Sequence, residues 1–305
     1  ILVCRLPSWH IFSCLNNMQY PKGYLIAVGG AEDKGSELER ERQNSIDFFK
    51  EGILNQIVQL VGKKSEPKIE LVTTASSIPD EVAGVYKKAF RKLGDIEIGH
   101  LKITKREDAD AKKTLERLEK CNCILFSGGD QLRLSSILGG TEFLDILHRR
   151  YEKEHFVIAG TSAGAAAMSN TMICGGDETK AYLKGKVELS IGFGFLQEVI
   201  IDTHFDARGR FGRLVQAIAA QPGAVGIGLD EDTGVVIEKG SKMRAIGSSS
   251  VVVVDGCNIS HNNIADIRSG MPLSVSNLAV HIMTNSDVFD LNTRTFTGVS
   301  FPAHH

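Results

Sequence analysis

Residues 156–167 read FVIAGTSAGAAA, and this stretch predicts both the fold and the place of its chemistry. Phe156 to Ala159 form an apolar run suited to a buried strand, and the small residues that follow suit a tight turn into a helix. Ser162 lies in a G-T-S-A-G sequence at that turn, which matches the G-x-S-x-G elbow that exposes a serine oxygen at a strand end. The stretch therefore predicts an α/β fold with a candidate nucleophile. A serine that caps the next helix is the alternative.

The flanking segments repeat this alternation of β-rich runs and helical patterns. YLIAVGG (24–30) and CNCILFSGG (121–129) are predicted strands, and SSIPDEVAGVYKKAFRKLG (76–94) is a predicted helix. VIIDTHF (199–205) and AVGIGLD (224–230) are predicted to continue the same parallel sheet, and the short β runs after them predict an antiparallel extension. The pattern predicts a three-layer sandwich with a mostly parallel sheet. An earlier helix is predicted from apolar residues at steps of three and four, namely Ile46, Phe49, Ile53, Ile57 and Leu60.

Composition and charge exclude several classes of protein. The chain has 305 residues, 42% of them hydrophobic, and a formal net charge of −2, which gives no reason to expect nucleic acid or a membrane as a partner. No apolar run approaches the ~20 residues of a membrane helix. The 6 cysteines form no CxxC pair, so neither a metal site nor a disulfide framework is predicted. We expect a cytoplasmic protein without a cofactor.

The two ends of the chain differ in pattern. Residues 1–17 have no helical or strand period and no signal-peptide pattern, so we expect a non-native or disordered leader, with native translation beginning at Met18. Residues 18–303 contain no linker, repeat or low-complexity segment. They are expected to form a single α/β domain.

Further candidate catalytic residues lie at other predicted strand ends, where open parallel sheets bind their ligands. A serine needs a base to act as a nucleophile, and His204 at the end of VIIDTHF is our candidate. The imidazole needs an acidic partner, for which Glu231 is preferred. Glu178 is the alternative acid. Asp230, beside Glu231, and Asp177, beside Glu178, remain open as further sources.

Two backbone amides are candidates for an oxyanion hole. The SGGD turn at 127–130 exposes backbone at a strand end, and Ala163 directly follows the candidate nucleophile. Gly129 and Ala163 are therefore predicted to hold a developing negative charge. The turn lacks the GxxxxGK[ST] pattern of a nucleotide-binding loop.

Three arginines follow the candidate base, in HFDARGRFGRL. A solvated basic helix face is one interpretation of Arg208, Arg210 and Arg213. Their closeness to His204 favours a carboxylate-binding wall instead, because guanidinium groups bind carboxylates in a bidentate way. An acidic substrate is then expected.

Five segments together resemble the cyanophycinase-like serine peptidases, the group that also contains the aspartyl dipeptidase peptidase E. They are VGGAEDK, FSGGDQLRL, GTSAGAAAMS, DTHFDARGRFGRL and GIGLDEDT, and the resemblance runs from about residue 22 to residue 240. It implies a fold like the class I glutamine amidotransferases (flavodoxin-like), a Ser-His-acid hydrolase without a metal, and cleavage next to an aspartyl residue. It also implies a set of substrate-binding positions, here Gln131, Asp202, Thr203, Arg208, Arg210 and Arg213, with Thr203 standing where cyanophycinases usually carry glutamine.

The resemblance implies a serine exopeptidase that hydrolyses β-aspartyl peptide bonds through an acyl-enzyme. Its substrate would be an acidic peptide or cyanophycin, a poly-aspartate with arginine branches, and its products would be β-Asp-Arg dipeptides. An α-aspartyl dipeptidase and a catalytically silent protein that binds acidic peptides are the alternatives. A homodimer is expected from the family likeness and from the general frequency of symmetric dimers.

Overall fold

A nine-stranded sheet forms the centre of the structure. The computed structural model of the chain describes residues 20–36 and 46–299; the predicted leader, 1–17, and Met18 lie outside them. The parallel strands of the sheet are β1 (Tyr24–Val28), β2 (Lys68–Val72), β3 (Glu97–Leu101), β4 (Cys123–Phe126) and β5 (Val157–Thr161). They lie in the order β1-β5-β4-β2-β3, so the Ser162 strand is between two others. Every residue of β4 and β5 is buried, which explains their continuous apolar sequences.

Helices cover both faces of this sheet. They are α1 (Ile53–Gly62), α2 (Pro79–Leu93), α3 (Arg106–Ala109), α4 (Lys112–Lys120), α5 (Gln131–Leu138), α6 (Glu142–Lys153), α7 (Ala163–Ala166) and α8 (Phe211–Ala220). Successive strand residues point to opposite faces. Thus Val157 packs with α1 and α2, whereas Ile158 packs with α5 and α6. The predicted three-layer α/β sandwich is confirmed.

The first helix begins later than its apolar spacing predicts. The prediction is right from Ile53 onward and wrong for Ile46 and Phe49, because a turn occupies the residues before Gly52. The Asp47 carboxylate accepts the Phe49 amide proton at 2.9 Å, and the backbone amide of Gly52 donates to the Asp47 carbonyl at 3.0 Å. Phe49 is left 50% exposed. A side chain that holds a local turn therefore overrides the helical period.

The antiparallel extension is present on the open side of β1. Its strands are β10 (Thr233–Glu238), β11 (Lys242–Gly247), β16 (Val288–Asp290) and β17 (Thr295–Thr297). β10 pairs with the whole length of β1, from Tyr24 opposite Glu238 to Val28 opposite Gly234.

VIIDTHF and AVGIGLD do not continue the large sheet, and that prediction is wrong. They form β8 (Val199–Thr203) and β9 (Val225–Leu229), which pair in parallel within a separate four-stranded sheet. The physical reason is that β10 already uses the free hydrogen-bonding edge of β1. The other two strands of that sheet are β12 (Val251–Asp255) and β15 (Ala279–Met283), in the order β15-β12-β9-β8.

Four short strands form two small ribbons outside these sheets. They are β6 (Thr171–Gly176) with β7 (Val187–Ile191), and β13 (His261–Asn262) with β14 (Val275–Ser276). Across residues 20–36 and 46–299, none of the helices combines the length and the apolar character that crossing a membrane requires.

Candidate active site

Ser162 occupies a sharp turn between β5 and α7. Its backbone has φ 50° and ψ −111°, a conformation that residues other than glycine rarely adopt. The turn fits only because its neighbours are small. A Cβ atom on Gly164 would lie 2.5 Å from the carbonyl oxygen of Phe126, and one on Gly160 would lie 2.5 Å from the backbone of Gly164. The backbone at Ser162 therefore has the sharp strand-to-helix turn that the G-T-S-A-G sequence predicts.

The end of β1 connects the serine segment to the histidine segment, although they belong to different sheets. The Ser162 amide donates to the Val28 carbonyl, and the His204 amide donates to the Gly29 carbonyl, both at 2.9 Å. Gly30 has a φ of 113°, and a Cβ atom there would lie 2.4 Å from the His204 ring. The glycines of VGGAEDK thus allow the imidazole to pack directly on the loop after β1.

The structure brings Ser162, His204 and Glu231 into one hydrogen-bonded series. Ser162 Oγ lies 3.1 Å from His204 Nε2, and His204 Nδ1 lies 2.7 Å from Glu231 Oε1. A proton on Nδ1 donated to the carboxylate leaves Nε2 able to accept the serine proton. The imidazole is 14% exposed and the Glu231 side chain 38% exposed, so the pair borders the solvent. This geometry is suited to activating an alcohol as a nucleophile.

The other candidate acids have different partners. Glu178 accepts hydrogen bonds from the Arg210 guanidinium, including one from Nε at 2.7 Å. Asp230 accepts from the Ser249 hydroxyl at 2.9 Å, and Asp177 accepts from the Thr179 amide at 3.0 Å. Of the four candidate carboxylates, Glu231 is the one that forms a hydrogen bond with the His204 imidazole.

Backbone donors lie next to the serine, as an oxyanion hole requires. The amides of Gly129 and Ala163 donate to no acceptor within the described residues. Ala163 is the first residue of α7, where helix amides have no internal partner. Gly128 adjoins Ser162, since a Cβ atom there would lie 3.3 Å from Ser162 Cβ. Two free donors beside Ser162 suit the stabilisation of a tetrahedral oxyanion.

Two of the three arginines of the predicted wall lie in a buried ion-pair network instead. Arg213 is bidentate to Asp202, with Nε 2.5 Å from Oδ2. Arg210 donates from Nη1 to the Thr203 carbonyl at 2.6 Å and from Nε to Glu178. Burial, followed by the neighbouring Arg213 charge, lowers the pKa of the Arg210 guanidinium.

The predicted substrate-binding set is therefore largely outside the cleft beside Ser162. Arg208 lines this cleft. The other five predicted residues do not line it: Gln131, Asp202, Thr203, Arg210 and Arg213. Gln131 is committed elsewhere, because its Nε2 donates to the Ile173 carbonyl at 2.9 Å. The sequence did not reveal that Asp202, at the end of β8, and Glu178, in the β6–β7 loop, would form ion pairs with these guanidinium groups.

Removing Arg213 is expected to reduce stability strongly. Asp202 is 1% exposed and Arg213 7% exposed, so Arg213→Ala removes the bidentate partner of a buried carboxylate and leaves it with the Arg210 guanidinium, whose Nη1 lies 3.6 Å away. We expect a loss of about 3–5 kcal/mol in the free energy of unfolding and a Tm lower by about 10 °C. Thermal unfolding followed by circular dichroism measures this. Arg208→Ala is the matched control, and equal Tm values for the two variants would contradict the structural role of Arg213.

The cleft itself has a volume of about 520 Å³ and contains residues to which the sequence analysis assigned no role. Its walls include the loop after β1 and one face of α2. Buried Glu32 accepts hydrogen bonds from the Thr161 hydroxyl at 2.6 Å and from the Tyr86 hydroxyl, and Lys34 Nζ lies 3.3 Å from its carboxylate. Burial opposes ionisation of Glu32, but Lys34 and the two hydroxyls outweigh it and lower its pKa. In the sequence, the charged residues EDK (32–34), shortly after the end of β1, were the signal that could have indicated this cluster of polar side chains.

The described residues contain no cluster of three or more His, Cys, Asp or Glu side chains arranged to hold a metal ion.

Comparison with known proteins identifies the family. The model of peptidase family S51 matches residues 45–245. A cyanophycinase from Synechococcus elongatus is 38% identical over 272 residues, which are 89% of this chain and 80% of that protein. A cyanophycinase from Trichormus variabilis is 36% identical over 91% of this chain and 88% of its own length. In fold, the crystal structure of a peptidase from an acI-B1 Actinobacterium is similar, with a TM-score of 0.62 at 19% identity over 89% of this chain and 98% of that one. The chain belongs to peptidase family S51 and is a serine-type peptidase.

Proposed function

We propose that the chain is an exopeptidase that hydrolyses cyanophycin to β-Asp-Arg dipeptides through an acyl-enzyme. The observation that carries the proposal is the hydrogen-bonded series Ser162, His204 and Glu231, of which Ser162 and His204 line a cleft. The relatives named cyanophycinase, which match about nine-tenths of the chain, support the choice of substrate.

The first step is attack of Ser162 Oγ on the scissile carbonyl carbon. His204 Nε2 takes the hydroxyl proton as the bond forms, and Glu231 stabilises the resulting imidazolium. The carbonyl oxygen becomes an oxyanion, to which the amides of Gly129 and Ala163 donate. His204 then gives its proton to the leaving amine as the amide bond breaks.

The second step returns the enzyme to its starting state. Water loses a proton to His204 and attacks the acyl carbon, and the ester bond to Ser162 breaks as its oxygen regains that proton. A β-Asp-Arg product keeps the amide between the aspartyl side chain and arginine. The bond that breaks is therefore the backbone amide, formed by the α-carboxyl group of an aspartyl unit. The β-aspartyl bond, at which the sequence interpretation expected hydrolysis, stays intact in this product.

Arg208 supplies positive charge for the acidic part of this substrate. It is exposed and lines the cleft with His204. A guanidinium at this position can form a bidentate pair with a free carboxylate of the polymer, which belongs to an arginine branch or to the C-terminal end of the backbone.

The deciding experiment is incubation of the purified protein with cyanophycin, with the products resolved by mass. Release of β-Asp-Arg dipeptides is the expected result. Assay of α-linked Asp-X dipeptides in parallel tests the alternative, since turnover of these alone would establish an α-aspartyl dipeptidase. Binding of cyanophycin without any turnover would establish the silent binding protein.

We also propose that residues 18–303 act as one hydrolytic domain in a cytoplasmic homodimer. The match to the family model supports a single domain, and the general frequency of symmetric dimers supports a homodimer. The spacing of the 6 cysteines, which does not suit a disulfide framework, supports a cytoplasmic location. A single unfolding transition, sedimentation as two chains and recovery with cytoplasmic markers are the expected results. An additional unfolding transition, a monomer or recovery elsewhere would contradict the corresponding part.

A further inference from the structure

The cleft contains charges of both signs, and they are not all paired with each other. Glu32 and Lys34 form an ion pair at 3.3 Å. The side chains of Glu81 and Arg208 also line the cleft and are exposed, and neither forms an ion pair with another described residue. The cleft therefore presents one carboxylate and one guanidinium that are available to a substrate.

The carboxylate of Glu81 belongs to a partly apolar face of α2. Ile78 precedes the helix, and Glu81, Val82 and Val85 follow it by three, four and seven positions, so the four residues share one face. Ile78 is 51% exposed and Val85 48% exposed, which leaves apolar surface open beside the carboxylate. An arginine side chain has the complementary structure, because an apolar stem carries its charged head.

We propose that this face of α2 binds the arginine branch of the substrate, with Glu81 accepting hydrogen bonds from its guanidinium group. The inference rests on the proposed function and identifies a specificity-determining residue within it. Arg208 and Glu81 would then recognise the two opposite charges of an Asp-Arg unit, the carboxylate and the guanidinium, in the same cleft.

A structural role for Glu81 is the competing explanation. Acidic residues in the first turn of a helix stabilise its N-terminus, and Glu81 lies in the first turn of α2. Asp80 lies in the same turn, but its carboxylate pairs with Lys102 Nζ at 2.6 Å and is not among the residues that line the cleft. Asp80→Asn therefore removes the same kind of charge from the same helix end without altering the cleft, and it is the matched control.

The test compares two trimeric substrates, one of β-Asp-Arg units and one in which citrulline replaces arginine. Citrulline keeps the size of the branch but has a neutral urea group. The wild-type protein is expected to prefer the arginine trimer by about tenfold in kcat/KM, as a charge-assisted hydrogen bond at a partly exposed site would give. Glu81→Gln is expected to remove this preference by slowing turnover of the arginine trimer alone, and Asp80→Asn is expected to keep it.

An unchanged preference in Glu81→Gln would overturn the inference, as would equal slowing of both trimers. Either result would leave the proposed function intact, because the arginine trimer would still be hydrolysed by the wild-type protein. Failure of the wild-type protein to hydrolyse either trimer would overturn the proposed function and this inference together. The measurements therefore separate the two failures.

Discussion

Ser162→Ala is expected to lower kcat for the arginine trimer by about 10⁴ to 10⁶-fold, the loss that follows when a serine nucleophile is removed from a triad. The hydroxyl is the group from which His204 Nε2, 3.1 Å away, would take a proton. Alanine leaves the imidazole and the carboxylate in place but provides no atom that can form an acyl-enzyme. Single-turnover kinetics with mass detection of the released dipeptide measures the loss.

The loss must be chemical and must not result from misfolding. Ser162→Ala should therefore bind the trimer with nearly wild-type affinity in calorimetry, since the hydroxyl contributes little to ground-state binding. Ser169→Ala is the matched control. Its buried hydroxyl has no hydrogen-bond partner among the described residues, so this variant should keep its activity within a few-fold. An unchanged rate in Ser162→Ala would place the reaction elsewhere.

The sequence predicted the serine elbow and its two partners because their signals are local. Ser162 follows a buried apolar strand through small residues, and His204 and Glu231 follow apolar strands in the same way. Open parallel sheets bind their ligands beyond the carboxyl ends of their strands, so polar residues at these ends are candidates for a site. The structure brings Ser162 and His204 together although β5 and β8 belong to different sheets, because the end of β1 connects them through Val28 and Gly29.

The sequence could not predict which arginines would be buried, because that depends on distant partners. Arg208 and Arg213 are five positions apart and chemically identical. Arg213 lies on the buried face of α8 against Asp202, and Arg208 lies in the loop before that helix. Pairing with Asp202 depends on how α8 packs on β8, and the spacing of arginines carries no information about that packing.

The α2 face of the cleft was missed for a related reason. Its helical period was clear, and the helix predicted over 76–94 is observed at Pro79–Leu93. Whether Ile78 and Val85 pack against the core or border a cleft depends on what covers them, and the amphipathic pattern alone does not say. Exposed apolar residues beside Glu81 became informative only when the cleft was located next to Ser162.

Glu231→Gln is expected to lower kcat by about 10³ to 10⁴-fold while KM changes little, by analogy with the loss when a triad aspartate becomes asparagine. Glutamine keeps the size of the side chain but cannot balance the imidazolium charge. Its amide can also donate to Nδ1 and hold the tautomer that has its proton on Nε2, which cannot accept the serine proton. The lower end of the range reflects the 38% exposure of Glu231, since solvent screens part of its charge.

Glu178→Gln is the matched control for this change, because it neutralises the alternative acid by the same substitution. Glu178 pairs with Arg210 and not with the imidazole, so its loss should lower the Tm while kcat stays within about tenfold of wild type. The two variants thus separate a charge that acts on His204 from one that stabilises the fold around it. The reverse result, with kcat lost in Glu178→Gln and kept in Glu231→Gln, would assign the acid to the β6–β7 loop and would require His204 to turn away from the carboxylate that it contacts at 2.7 Å.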